Sequence, residues 1–191
     1  MSPPIRLAAA REAAPHLLNG TYYFDMNSVA PDTKRAAARA IGAAGARYVD
    51  VAVMAPVEPA RLAVPLLLSG PHATEGARVL RQFGFVNVGA LQGDVGRASS
   101  VKMIRSVMVK GIEALTAEMT LAGDAAGVSD EVLASLGDDW TTRAAYNLER
   151  MATHGKRRAA EMEEAAKTLI ALGVDPVMTR GTVVRQREMA A

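Results

Sequence analysis

The amino-acid sequence predicts an α/β fold in which a sheet built from parallel strands precedes an all-helical region. The chain has 191 residues, of which 50% are hydrophobic, so it can bury a substantial core. Short β-rich segments alternate with alanine-rich helical segments over the part that precedes Gly93. Beyond Gly93 no β-rich alternation returns, and apolar residues recur at helical spacing almost to the end. The chain is therefore expected to form an α/β domain followed by a helical one.

The first part of the chain contains the predicted strands. A strand, a helix and a second strand follow one another, which is typical of a parallel strand–helix–strand unit. Asn19-Gly20 is expected to stop the first helix, and Lys34, Arg35 and Arg39 share one side of the second. The predicted elements are a helix at 5–18, a strand at 21–26, a helix at 32–44, strands at 47–54 and 64–69, a helix at 74–82 and a strand at 85–90.

The second half is predicted to be helical throughout, beginning with a long helix from Ala98 to Ala126. Two apolar stripes on this helix predict burial on two sides. They comprise Val101, Ile104, Met108, Ile112, Leu115, Met119 and Ala122, and Met103, Val107, Ala114, Ala117 and Leu121. A polar strip of Ser99, Lys102, Arg105 and Ser106 remains near the helix start. Glycines, among them Gly155, separate the further helices predicted at 129–135, 139–152, 156–172 and 177–188.

Composition argues against several classes of function. The net charge of +2 is spread along the chain and aromatic residues make up only 4%, so no nucleic-acid partner is expected. The absence of cysteine excludes disulfides and thiolate metal sites, and three scattered histidines give no pattern for a metal site. No apolar stretch approaches the roughly 20 residues that cross a bilayer. With Pro3, Pro4 and Arg6 near the N-terminus, no secretory signal is expected either, and we predict a cytoplasmic protein without a membrane partner.

The segment from Gly93 to Ser106 is the first candidate site. Gly93 and Gly96 lead into the long helix, and Lys102 lies in its first turns. A lysine that is partly removed from water can exchange a proton with a hydroxyl, which makes Lys102 a candidate general acid or base. The alternative is that Lys102 extends its amine past the helix end into solvent.

Two further segments follow predicted strands. Asn27-Ser28 lies after the first strand and before a helix that opens near Pro31, and open α/β sheets bind ligands at the carboxyl ends of their strands. The alternative is an ordinary capped loop. The segment from Asp50 to Val57 likewise leaves a strand, and its alternative is a proline-containing exit from a core strand.

Together these segments resemble the β-hydroxyacid dehydrogenase superfamily, which includes 3-hydroxyisobutyrate, tartronate semialdehyde and 6-phosphogluconate dehydrogenases. That family has a loop Asp-x-Ser-Thr followed by Pro, then Asp-x-Pro-Val-Ser-Gly-Gly, then Gly-x-x-Gly-x-Gly-x-x-x-Lys-x-x-x-Asn. This sequence offers Asp25 to Ser28 with Pro31, then Asp50 to Val57, then Gly93, Gly96 and Lys102. It departs from the pattern at Ala98, which replaces the third glycine, and at Ser106, which replaces the asparagine.

The resemblance implies a role for each domain and site residue. Residues 1–96 would be the remainder of a Rossmann-like NAD(P)-binding domain, and 97–191 a helical substrate and dimerisation domain of the 6-phosphogluconate dehydrogenase-like subgroup. Lys102 matches the catalytic lysine. Asn27 and Ser28 would contact a nicotinamide cofactor, NAD or NADP. Ser28, Arg105, Ser106, Gly93 and Gly96 would contact a small hydroxy-acid substrate, with no metal and with a homodimer as the expected assembly.

One family feature is absent from the sequence. No Gly-x-Gly-x-x-Gly turn, whose amides would hold a pyrophosphate, occurs before Thr21. We therefore expect the first strands of the Rossmann-type sheet to be missing from this chain, which by itself would bind NADH or NADPH weakly or not at all. The predicted function is hydride transfer between a nicotinamide and a small hydroxy acid, by this chain or by a larger protein of which it is the main part. The alternative is a non-catalytic helical dimerisation module left after loss of the glycine loop.

Overall fold

The computed structural model describes residues 5–190 and the side chains from residue 7 onward. The outer ends of the two predicted domains, 1–4 and 191, lie outside the described residues. The elements in chain order are α1 (Ile5–Ala13), β1 (Tyr22–Asp25), α2 (Pro31–Ala43), β2 (Arg47–Val53), β3 (Leu66–Ser69), α3 (Ala73–Gln82), β4 (Val88–Ala90), α4 (Arg97–Ala126), α5 (Ser129–Leu136), α6 (Trp140–Ala171) and α7 (Val177–Glu188). An α/β sheet followed by an all-helical region confirms the predicted fold class.

The four strands form one sheet in the order β1-β2-β3-β4. β1 and β2 are parallel and joined by α2, as the strand–helix–strand pattern predicts. β3 runs antiparallel to β2, so the prediction of a sheet built from parallel strands is wrong for this pair. The segment between these two strands contains only a short 3-10 turn at Arg61–Ala63, so no crossover helix carries the chain back to start a parallel strand. β4 is again parallel to β3 and follows α3.

Each face of the sheet has its own core. On one face, Val49 and Val51 of β2 cluster with Leu66 and Leu68 of β3 and with Leu80 of α3. On the other face, Tyr48 clusters with residues of α1 and α2. Because side chains alternate along a strand, Asp50 projects with Tyr48 toward the α2 face. This alternation places a carboxylate in the middle of a buried strand.

Two predicted helix boundaries are wrong. The first helix ends at Ala13 instead of Leu18 because Pro15 lacks an amide hydrogen, and a 3-10 turn follows at Ala14–His16. The two helices predicted at 139–152 and 156–172 are one continuous helix, α6, which runs through Gly155. A Cβ atom at Gly155 would lie 2.3 Å from the carbonyl oxygen of Gln186. This glycine therefore permits close approach of the C-terminal helix and does not end its own.

The chain divides into two compact units, a sheet unit up to Met103 and a helical unit from Ile104 onward. In the helical unit, α6 and α7 pack against each other. None of the helices in the described part of the chain is long and apolar enough to cross a membrane. The functional assignment of the two predicted domains stays a prediction.

Candidate active site

A row of three polar residues crosses the sheet. The strand register places Asp25 of β1 opposite Asp50 of β2, and Asp50 opposite Ser69 of β3. All three are almost completely buried. Ser69 donates a hydrogen bond from Oγ to Asp50 Oδ2 at 3.0 Å. Two carboxylates in a sheet interior need cationic or hydrogen-bonding partners, because unpaired buried charge is costly.

Lys34 on α2 is the cation that pairs with both carboxylates. Its side chain is fully buried, and Nζ lies 3.2 Å from Asp25 Oδ1 and 3.4 Å from Asp50 Oδ1. Nζ also donates a hydrogen bond to the backbone oxygen of Asp25 at 2.5 Å. Lys34 thus differs from Arg35 on the same helix, which forms an exposed ion pair with Asp32.

Asp25 shapes the loop after β1. Its Oδ1 accepts hydrogen bonds from the Asn27 amide at 3.0 Å and from Asn27 Nδ2 at 2.8 Å. Its Oδ2 accepts a hydrogen bond from Tyr48 Oη at 2.6 Å. Burial by itself would raise the pKa of Asp25, but the Lys34 ammonium and the hydrogen bonds from Tyr48 and Asn27 more than offset this. The pKa of Asp25 is therefore lowered, and the carboxylate holds the loop in its charged form.

Asp50 and Ser69 bind the free amides at the start of α4. The Gly96 and Ser99 amides donate to Asp50 Oδ2 at 3.1 and 3.2 Å, and Ser99 Oγ donates to Asp50 Oδ1 at 2.6 Å. The Ala98 amide donates to Ser69 Oγ at 2.9 Å. A carboxylate at a helix N-terminus satisfies unpaired amides and interacts favourably with the helix dipole. The sheet therefore fixes the beginning of the helix that carries Lys102.

Lys102 and Ser28 are in direct contact. Lys102 Nζ donates a hydrogen bond to Ser28 Oγ at 2.6 Å, and both side chains are partly buried. The Lys102 amine therefore faces the loop after Asp25, and the alternative that it extends past the helix end into solvent is wrong. A hydroxyl and an ammonium thus lie together at the carboxyl end of β1, where α/β sheets bind ligands. The pair can hold an oxygen atom and exchange a proton with it.

The other predicted site residues have different surroundings. Asn27 is exposed and its side-chain amide binds Asp25. The Gly93 oxygen accepts the Gly70 amide at 3.2 Å, and the Gly96 amide binds Asp50. Gly96 has φ +100, and a Cβ atom there would lie 3.0 Å from Pro31 Cβ, so this position requires glycine. Its observed contact is with the protein's own carboxylate.

The side chains of the predicted polar strip on α4 differ in their partners and in their burial. Ser99 binds Asp50 and Lys102 binds Ser28, whereas Ser106 is buried and accepts a hydrogen bond from Lys110 Nζ at 3.1 Å. Arg105 is exposed. Burial lowers the pKa of Lys110, and the nearby Glu161 carboxylate offsets only part of this effect.

Sequence reasoning missed the supporting role of the residues that surround the Lys102–Ser28 pair. Lys34 carries no signal in its spacing, because it lies beside Arg35 on an alanine-rich helix. Asp50 could have been found, since a carboxylate within the apolar run of β2 must have a partner once that strand is buried. Ser69 ends an apolar strand, so its hydroxyl must also have a hydrogen-bonding partner once that strand is buried.

Acid is expected to destabilise the sheet unit through Asp25. Since the pKa of Asp25 is lowered on folding, its contribution is fully present above the ordinary aspartate value of about 3.9 and is lost as the pH falls below that value. Urea unfolding at neutral pH and at successively lower pH values measures this loss. The Asp25→Asn variant should show a shallower dependence in the acid range, and an unchanged dependence would contradict the assignment.

Comparisons with known proteins agree with this fold. The C-terminal residues 124–189 match the family described as a domain of unknown function, DUF1932. An uncharacterized 28.5 kDa protein of Methanothermus fervidus is 27% identical over 164 residues, which are 84% of this chain and 62% of that protein. A conserved hypothetical protein of Sinorhizobium meliloti 1021 is 42% identical, with a TM-score of 0.79, over 95% of this chain and 62% of that one. The chain therefore spans less than two thirds of the length of these relatives.

Two further solved structures define the class of protein. Conserved protein MTH1747, of unknown function and described as structurally similar to 3-hydroxyacid dehydrogenases, is 31% identical, with a TM-score of 0.77, over 97% of this chain and 70% of that one. The 3-hydroxyisobutyrate dehydrogenase of Salmonella typhimurium shares the fold at 18% identity and a TM-score of 0.72, over 95% of this chain and 70% of that one. The fold is thus that of the hydroxyacid dehydrogenases, a class of nicotinamide-dependent oxidoreductases. The chain belongs to the β-hydroxyacid dehydrogenase superfamily.

Proposed function

We propose that this chain forms all or the larger part of an NAD(P)-dependent oxidoreductase that acts on a small hydroxy acid, with Lys102 as general acid and base. The observation that supports this most directly is the 2.6 Å contact between Lys102 Nζ and Ser28 Oγ at the end of β1. The resemblance of both segments to the family's motifs assigns the same two residues to the reacting centre.

The proposed proton transfer uses the two side chains together. In the oxidation direction, the neutral amine of Lys102 takes the proton of the substrate hydroxyl, while Ser28 Oγ holds the same oxygen as donor or acceptor. Asn27 and Ser28 would hold the nicotinamide, which would supply the acceptor for the hydride on the carbon that carries this hydroxyl. In the reverse direction, the Lys102 ammonium returns the proton to the oxygen. Arg105, Ser106, Gly93 and Gly96 stay predicted substrate contacts, although the Gly96 amide binds Asp50 and Ser106 Oγ binds Lys110. Of the side chains among them, the exposed Arg105 guanidinium suits a carboxylate best.

The residues present fit one end of the cofactor. Ser28 and Asn27 carry hydroxyl and amide groups that suit the carboxamide of a nicotinamide, NAD or NADP. No Gly-x-Gly-x-x-Gly turn occurs in the 191 residues to hold the pyrophosphate. Because weak cofactor binding is therefore expected of this chain, its assays need millimolar nicotinamide.

Replacing Lys102 by alanine is expected to lower kcat by about 100-fold or more, the usual contribution of a general acid or base. The assay follows nicotinamide absorbance with a panel of small hydroxy acids at fixed high cofactor concentration. Lys156→Ala on α6 is the matched control, because it also removes one ammonium group. Equal turnover by Lys102→Ala and wild type would contradict the assignment. A chain that binds the nicotinamide but turns over none of the acids would favour the dimerisation alternative.

The second candidate function, assembly of a homodimer through the helical unit, rests on an exposed apolar surface. Of the stripe predicted to be buried, Met108 is 67% and Leu115 is 56% exposed, and Met178 on α7 is 65% exposed. Between α4 and α7 lies an apolar groove of about 550 Å³, lined in part by Val107, Met108, Ile112, Leu115 and Met178. Exposed apolar patches of this kind mark interaction surfaces, and a two-fold dimer would place the patch against its own copy.

Analytical ultracentrifugation at micromolar concentration is expected to show a homodimer. The interface of this dimer should bury well over roughly 1,000 Å². The Met108→Glu variant should weaken association at least about tenfold, because it places a charge in the centre of the apolar patch. Val86→Glu is the matched control, since Val86 is 75% exposed and lies in the sheet unit. A wild-type monomer that unfolds cooperatively would rule out the dimer and the dimerisation module with it.

A further inference from the structure

We propose that Lys34 is a positioning residue, whose buried ammonium ties the loop that carries Ser28 to the first turn of the helix that carries Lys102. The inference rests on the proposed function for the catalytic meaning of the Lys102–Ser28 pair. The mechanical link itself can be tested without any measurement of activity.

The link is a continuous series of polar contacts within the sheet unit. The Asn27 amide, next to Ser28, donates to Asp25 Oδ1 at 3.0 Å, and the same oxygen lies 3.2 Å from Lys34 Nζ. On its other side, Lys34 Nζ lies 3.4 Å from Asp50 Oδ1, which accepts a hydrogen bond from Ser99 Oγ at 2.6 Å. Ser99 lies three residues before Lys102, one turn away on the same helix. One ammonium thus joins the two carboxylates that fix the two halves of the site.

The three charged groups are removed from water. Lys34 and Asp50 are both fully buried, and the Asp25 side chain is 3% exposed. In such surroundings an ion pair is little screened, so the geometry of the three charged groups is strongly determined. A replacement of these groups by apolar side chains could serve stability equally well, because desolvation offsets much of the attraction in a buried pair. What an apolar replacement could not supply is a fixed spacing between the loop and the helix.

The contacts of Lys34 distinguish it from a purely structural lysine. Nζ binds the backbone oxygen of Asp25 at 2.5 Å as well as both carboxylates, so the ammonium uses its donors on groups that lead to the site. Asp25 and Asp50 each have their own hydrogen bonds and would still shape their local segments without Lys34. Loss of Lys34 should therefore increase the distance between the loop that carries Ser28 and the start of α4, while each segment keeps its local structure.

The test measures the contact between Ser28 and Lys102 by NMR. The chain contains five lysines, Lys34, Lys102, Lys110, Lys156 and Lys167, so ¹³C-labelled lysine gives few and separable signals. In the wild type, the Lys102 Cε protons should show a nuclear Overhauser effect to the Ser28 Cβ protons. In Lys34→Met this effect should be lost. Leu80→Ala, which weakens the core on the other sheet face, is the matched control and should retain it.

A second variant is designed to keep the fold in case Lys34→Met does not fold. The double variant Lys34→Met/Asp25→Asn removes one positive and one negative charge, so the net charge of the buried group is unchanged. The asparagine Oδ1 can still accept the Asn27 amide, and Asp50 still caps α4, but Tyr48 Oη loses its carboxylate acceptor. The single variant Asp25→Asn, which keeps Lys34, is therefore the matched control and should retain the Overhauser effect. In the double variant we expect the effect to be lost. Retention of the effect in folded Lys34→Met or in the folded double variant would overturn the positioning role.

Chemical rescue separates the ammonium from the shape of the side chain. Because the chain has no cysteine, Lys34→Cys can be alkylated at a single position in denaturant and refolded. An S-aminoethyl adduct restores an ammonium and should restore the Overhauser effect, whereas a neutral S-propyl adduct of similar length should not. Equal behaviour of the two adducts would overturn the inference. If only the S-aminoethyl adduct restores the Overhauser effect while Lys102→Ala retains full turnover, Lys34 is a positioning residue and the proposed function is wrong.

Discussion

Replacing Asp50 by alanine is expected to lower the free energy of unfolding of the sheet unit by about 3–5 kcal/mol, the range for removing one partner of a buried ion pair. Asp50 accepts hydrogen bonds from Ser69 Oγ, from Ser99 Oγ and from two backbone amides of the α4 start. Alanine leaves these donors without an acceptor and leaves Lys34 with one carboxylate instead of two. The loss therefore combines an unbalanced charge with several unsatisfied polar groups.

Urea denaturation followed by the near-ultraviolet circular dichroism of the tyrosines measures the Asp50→Ala effect, because three of the four tyrosines, Tyr22, Tyr23 and Tyr48, lie in the sheet unit. Asp32→Ala is the control. Asp32 is 69% exposed and its pair with Arg35 is screened by solvent, so its loss should cost less than about 1 kcal/mol. Similar values for the two variants would mean that the Asp50 network contributes nothing beyond a surface pair.

Replacing Glu113 by alanine is expected to destabilise the helical unit by a similar amount, about 3–5 kcal/mol. Glu113 on α4 is buried and accepts two hydrogen bonds from the Arg158 guanidinium, the first from Nε at 2.8 Å. It also accepts one from Gln186 Nε2 at 2.9 Å. One carboxylate thus joins α4, α6 and α7, and alanine would leave a buried guanidinium without its counter-ion.

Trp140 is the chain's one tryptophan and begins α6, so its fluorescence reports on unfolding of the helical unit. Asp175→Ala is the control, because Asp175 is 67% exposed in its pair with Arg180 and should change stability by about 0–1 kcal/mol. A small effect of Glu113→Ala, within the range of this control, would show that Arg158 finds another acceptor.

Helical spacing in the run Lys156-Arg157-Arg158 indicates a solvated face, on which Arg157 would pair with Glu161 and Lys167 with Glu163. The structure agrees with this interpretation only in part. The Arg157–Glu161 pair is present at 3.5 Å, but Lys167 binds Glu164 instead. Arg158 is buried against Glu113. Adjacent residues of a helix point in directions about 100° apart, so one member of a charged run can face the core while its neighbours face water.

The order of elements was predictable from local sequence, because β-rich runs, helix caps and apolar periodicity each act within a few residues. The contact between Lys102 and Ser28 was predictable for a related reason, since both residues lie at element ends that an open sheet brings together. The direction of β3, the burial of Lys34 and the continuity of α6 at Gly155 were not. Each of these depends on residues far away in sequence, such as the Asp25 and Asp50 carboxylates around Lys34 and the Gln186 backbone beside Gly155.

The row formed by Asp25, Asp50 and Ser69 has a consequence for how the sheet assembles during folding. A shift of β2 by one residue against its neighbours would turn Asp50 to the opposite face, among apolar side chains such as Leu66, Leu68 and Leu80. That misregistered sheet would bury a carboxylate without Lys34 or the α4 amides, and the native core valines would turn away from their partners. The three polar residues therefore favour the native register of the three strands over a register shifted by one residue.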